Sequence, residues 1–155
     1  MGKGGMALGI LVALIGLVLM WKGYGSADYV EIWSPPAFLK HLNNLLALIA
    51  VYMLTSWAFG GKLGLKLKNP MTAAIKVWAL AHLLVRGDLA SIVLFGGLMV
   101  WAVITTIVMK RSPASRKARI WGGPKMEILA LIVAILLVGL LGGLHMAFGL
   151  SPFGG

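Results

Sequence analysis

Five apolar stretches, residues 6–20, 38–59, 71–86, 89–109 and 126–146, occupy most of this 155-residue chain and are separated by short polar or basic breaks. A helix that crosses a bilayer needs roughly 17–25 mostly apolar residues, and several of these stretches reach that length. In hydrocarbon every backbone N–H and C=O must be bonded within the segment, so such stretches become helices. Hydrophobic residues make up 60% of the chain and acids number only four, well beyond the roughly 45–50% apolar content of a soluble domain. The expected fold is all-α, a polytopic transmembrane helical bundle of about five helices, with residues 1–155 forming a single domain in contact with the lipid bilayer.

The breaks carry the topology. Of the 14 Lys and Arg residues, nine fall in two loops, Lys62, Lys66 and Lys68 in one and Lys110, Arg111, Arg116, Lys117, Arg119 and Lys125 in the other. Cytoplasmic loops carry the excess of basic residues, so these two loops are expected inside, which makes the N-terminus cytoplasmic and the C-terminus external. With Lys76 set aside as lying within a span, the inner side then carries +9 and the outer side zero. The same placement argues against nucleic acid as the partner of a chain with a net charge of +10, because the cations are dispersed as topology signals and no recognition motif accompanies them.

Local punctuation supports these helices. Gly60 and Gly61 end the second, Pro70 fits the first turn of the third, and Asp88 after Gly87 is a plausible N-cap for the fourth. Gly9, Ala13 and Gly16 in the first helix, and Gly139 and Gly143 with Gly142 in the fifth, suggest close approach by another backbone. The first helix is therefore expected inside the bundle. Lys3, the apolar run after it and Gly25-Ser26-Ala27 also resemble a signal peptide with a cleavage site, and a retained anchor is the reading preferred.

Three histidines acquire a common level from this topology. His41 lies near the outer start of helix two, His82 near the outer end of helix three, about 7 Å below the Gly87 break, and His145 near the outer end of helix five. Neutral imidazoles on facing helices can ligate haem or a transition metal, carry protons or bind polar headgroups; the plainer alternative is an amphipathic side chain reaching water. Trp78, His82 and Arg86 recur at four-residue steps and share one helical face. That face either lines a pocket with a cation at its mouth or packs Trp78 inside while Arg86 snorkels out. Lys76 is expected to snorkel inward; His41, Asn44 and Tyr52 fall roughly on one face of helix two with Asn43 beside them, and the asparagines are expected to cross-link helices by hydrogen bonds. The chain has no cysteine, which excludes disulfides and thiolate sites, and it contains no HExxH, P-loop or GxSxG motif.

Several segments resemble the NnrU family of bacterial membrane proteins, which is related to plant 15-cis-zeta-carotene isomerase. They are Trp33-Ser34-Pro35-Pro36-Ala37, His41-Leu42, Asn69-Pro70-Met71, and the long block Lys76-Val77-Trp78-Ala79-Leu80-Ala81-His82-Leu83-Leu84 with Gly87-Asp88-Leu89-Ala90-Ser91 and Leu94-Phe95-Gly96. The resemblance implies a multi-pass protein of the bacterial inner membrane that supports denitrification, that is, nitrite and nitric oxide reduction. In the plant relatives haem b is implicated in isomerisation, with a histidine in a Trp-Cys-Leu-Ala-His segment as a proposed ligand. His82 is the matching position, and Ala79 stands where that segment has cysteine. Asn69 replaces a family histidine, and Met146 follows Leu144-His145 where the family has proline; the family commonly carries a further first helix with a histidine, and this chain is expected to begin after it.

The resulting expectation is a haem or redox-linked site near the outer face. His82 is its metal ligand, His41 and His145 are candidate partners, and Arg86 is a neutraliser of a propionate or another anion. Two alternatives stand beside it: a haem-dependent isomerase of a polyunsaturated lipid or carotenoid, in which the cofactor carries the chemistry, and a non-catalytic scaffold or assembly factor that binds membrane protein partners.

Overall fold

The computed structural model describes residues 3–111 and 120–152, and within them the chain is helical: α1 (Lys3–Gly25), α2 (Leu39–Phe59), α3 (Lys62–Lys66), α4 (Pro70–Leu83), α5 (Leu89–Arg111) and α6 (Gly123–Ala147). Four of these, α1, α2, α5 and α6, are long and apolar enough to cross a membrane. The protein is an integral membrane protein. The five expected helices are all present, and α4 is the shortest of them at 14 residues. Arg116, Lys117 and Arg119 of the second basic loop lie outside the described residues.

Helix ends follow their local chemistry. Gly60 closes α2 with φ 73°, a left-handed conformation that glycine adopts without Cβ strain. Pro70 opens α4, where its missing N–H removes nothing that a first-turn residue would have bonded. Asp88 caps α5, its Oδ1 accepting the Ser91 N–H at 2.8 Å. Between Gly61 and Pro70 the basic loop coils into α3, whose Gly64 N–H donates to Ser56 Oγ of α2 at 2.9 Å.

Helix α2 is the centre of the array, packing against both α4 and α6, while α5 packs on α4. Most buried positions at these contacts are small, Ala50 and Ser56 on α2, Ala74, Ala79 and Ala81 on α4, Ala102 on α5, Ala130 and Ala134 on α6, with Met53 and Phe95 the large exceptions. Small side chains let apolar helices approach closely where lipid offers no hydrophobic drive for association. The chain's two ends of the bundle are distinct. At the basic end, the Gly122 N–H donates to the Gly60 carbonyl at 3.1 Å. At the opposite, Gly87 end, the Ile32 and Trp33 N–H groups both donate to the Gly87 carbonyl, and Leu89 donates to Val30.

Two expectations are corrected. Helix α1 extends to Gly25 and is not inside the bundle: its apolar window is unburied, and it touches only α5 to any extent, with a 2.9 Å hydrogen bond between Tyr24 Oη and Ser91 Oγ. A uniformly apolar helix has no preferred buried face, so lipid serves it as well as protein does. The glycines expected at close approaches in α1 and α6 also stand open, since a Cβ added at Gly9, Gly16, Gly139 or Gly143 would meet nothing within 4 Å. In α6 Gly142 is buried as expected, and the other inward positions are Ala130 and Ala134.

Candidate functional site

The arrangement around His82 begins with the end of α4. The helix stops at Leu83, short of the expected residue 86, which places His82 in its last turn. The His82 Nδ1 lies 2.9 Å from the Trp78 carbonyl, and because a carbonyl can only accept, Nδ1 carries the proton and Nε2 keeps its lone pair. His145, in the last turn of α6, repeats the device with Nδ1 2.7 Å from the Leu141 carbonyl. Two imidazoles are thus held in the tautomer that leaves Nε2 open as a ligand or proton acceptor.

Aromatic packing fixes one of them. The His82 ring stands 4.7 Å from Trp78 and stacks on Phe95 of α5 at 4.5 Å and 29°, while Trp78 meets Phe95 edge-on at 5.3 Å. The Trp78, His82 and Phe95 rings form one cluster across the α4–α5 contact. Arg86 follows immediately, its N–H donating to the His82 carbonyl at 2.9 Å, and both Arg86 and His145 come within electrostatic range of His82.

His41 behaves differently. It is exposed near the start of α2, and among the described residues no group of three His, Cys, Asp or Glu side chains is placed to hold a metal ion. The three histidines therefore share an end of the bundle without forming one three-ligand centre. Next to His41, the Asn43 Nδ2 donates to Asn44 Oδ1 at 3.1 Å, but Asn43 Oδ1 is buried with no hydrogen-bond donor. An orphaned buried acceptor costs about 1–3 kcal/mol, and it is satisfied when a polar group binds beside it.

The chain matches the family model described as NnrU protein over residues 1–152. It belongs to the NnrU family. Among curated proteins and solved structures no match is found. Within this NnrU-family chain, His82 and Phe95 come from the same family-like block, residues 76–96, and the fold brings them into ring contact. The groups gathered here are of the kinds a haem would need: imidazoles at His82 and His145 with Nδ1 bonded and Nε2 not, the Arg86 charge within range of His82, and the aromatic wall of Trp78 and Phe95.

A second polar centre lies at the basic end, where Glu127 of α6 accepts from the Tyr52 hydroxyl of α2 and from the Lys62 N–H of α3 at 2.7 Å. The Lys62 ammonium sits 4.8 Å above the Trp121 ring, a cation–π contact. The one sequence signal for this centre is Glu127 itself, a lone acid at the head of an apolar stretch, where an ionisable group needs partners. Tyr52 thus cross-links α2 to α6 through a carboxylate that spacing alone does not nominate, whereas the Asn43–Asn44 hydrogen bond stays within α2 instead of crossing to another helix.

Proposed function

We propose that this NnrU-family protein supports nitrite and nitric oxide reduction in the bacterial inner membrane through a haem or another redox-linked group near the outer face. The observation that carries the reading is the matched pair His82 and His145, each with Nδ1 on its own helix carbonyl and Nε2 left to ligate. His82 and His145 would hold the iron and Arg86 would neutralise a propionate; a bound haem supplies one-electron chemistry whose potential follows its axial ligands and the polarity of its surroundings. Phe95 and Trp78 restrain the His82 ring, and the unsatisfied Asn43 Oδ1 offers an acceptor at the same end. His41, exposed, is left to the membrane surface.

The test is the absorption spectrum of protein purified in detergent after expression with added haem, before and after dithionite. A Soret band that shifts on reduction and is lost in His82→Ala and in His145→Ala supports the reading. Colourless protein overturns it and leaves the scaffold role; a haem protein that converts cis-carotenoids in vitro moves the assignment to an isomerase.

A further inference from the structure

Lys76 belongs to no part of the histidine site. Its Nζ donates to Thr106 Oγ1 of α5 at 3.4 Å, and the Thr106 hydroxyl in turn bonds the Ala102 carbonyl at 2.7 Å and Thr72 Oγ1 at 2.9 Å. Helical lysines lean toward the N-terminus of their helix, and Thr72 lies only about 3 Å along the axis from Pro70. The ammonium therefore stands at the basic end of the bundle, at the level where headgroups begin.

A hydroxyl leaves that charge unneutralised. The four side-chain acids of the chain are committed elsewhere: Asp28, Glu31 and Asp88 belong to the Gly87 end, where Glu31 and Asp88 pair through their backbones, and Glu127 is held by Tyr52 and Lys62. From the ammonium a groove of about 220 Å³ runs between α4 and α5, lined by Lys76, Val77, Leu80, Met99 and Val103. Leu80 is one helical turn from Lys76 toward the bundle middle, and Met99 and Val103 precede Thr106 on α5 in the same direction. Leu80 and Val103 are exposed, so the groove opens to lipid. Its shape is a cationic head at headgroup level with an apolar tail directed into the hydrocarbon.

We propose that this groove binds one anionic phospholipid, its phosphate on the Lys76 ammonium and an acyl chain along Val77, Leu80, Met99 and Val103. Charge complementarity selects the head, since an ammonium flanked by hydroxyls takes a phosphate oxygen as counter-ion and hydrogen-bond acceptor. The exposed Lys66 and Lys68, just before Pro70, raise the local concentration of anionic headgroups. Lys76 and Leu80 lie on a different face of α4 from Trp78 and His82, so the site stands or falls independently of any haem.

Native mass spectrometry of the detergent-purified protein tests it, with phosphatidylglycerol, phosphatidylcholine, oleate and inorganic phosphate offered separately. Phosphatidylglycerol is expected to be retained over the other three, about fivefold less in Lys76→Gln and at the original level in Lys76→Arg. Val103→Trp, which fills the groove while leaving the ammonium in place, is expected to lower retention too. Equal retention of phosphatidylcholine, preference for oleate or phosphate, or undiminished phosphatidylglycerol binding in Val103→Trp overturns the proposal. Should Lys76→Gln fail to fold, as judged by size exclusion, Val103→Trp and Lys76→Arg decide the matter by themselves.

Discussion

The His82 imidazole stacks on Phe95 of the neighbouring helix, ring centroids 4.5 Å apart and planes inclined at 29°. This contact couples the orientation of the candidate ligand to the packing of α4 on α5. A double-mutant cycle of Phe95→Leu with His82→Ala, read by unfolding in detergent, is expected to show a coupling of about 0.5–1.5 kcal/mol. Additive effects would mean that the two rings are neighbours without mutual support.

Gly87 leaves no room for a side chain. An added Cβ would run into the Trp33 carbonyl oxygen, which belongs to the segment bonded to the Gly87 carbonyl through Ile32 and Trp33. Gly87→Ala is expected to destabilise by about 1–3 kcal/mol, as overpacking does, and to speed hydrogen exchange of the Ile32 and Trp33 amides. Unchanged exchange would show that the two segments separate without cost.

Stability should depend on the ionisation of Asp88. Burial pushes its carboxyl up, but hydrogen bonds from the Ser91 hydroxyl and amide, together with the Arg86 charge, outweigh burial and hold it below the ordinary range. A depressed carboxyl contributes stability above its unfolded value, and that contribution is lost as pH falls through the folded one. The melting temperature of the wild type is therefore expected to fall relative to Asp88→Asn, which keeps a capping side chain, as pH drops below about 4. Parallel curves across that window would contradict the assignment.

Tyr52 and Glu127 tie α2 to α6, and Glu127 also anchors the amide of Lys62 that begins α3. Glu127→Gln is expected to expose the segment 60–68 to protease cleavage and to quicken exchange at Lys62, while Tyr52→Phe gives a smaller change because the Lys62 contact survives. Equal sensitivity in both variants would place the effect in the helix pair and not in α3.

Helix positions, the Gly60 and Pro70 boundaries and the Asp88 cap are legible from residues alone. Each depends on local properties: apolar length set by the bilayer, glycine at a left-handed cap, a carboxylate over open N–H groups. The family too is written in the block from Lys76 to Gly96, and with it the prominence of His82. The exposure of α1 is not legible, because an all-round apolar helix suits lipid and protein equally. Nor is the early end of α4: the segment from Leu84 to Arg86 leaves the helix as Gly87 is drawn against residues 32 and 33.

A membrane-spanning bundle with its charged loops segregated was thus written into the order of apolar and basic residues, since transfer of a long apolar run out of water is a property of that run. How near the histidines come to one another was decided by tertiary packing, which brings His145 within electrostatic range of His82. His82 and His145 are more than sixty positions apart in the sequence, and their relation depends on α4 and α6 both packing on α2. His41, at the same level by its position in a helix, is exposed. Sequence spacing assigns depth along a helix axis, but the rotation and partner of each helix come from small side chains meeting across interfaces, and those pairings exist only once the chain has folded.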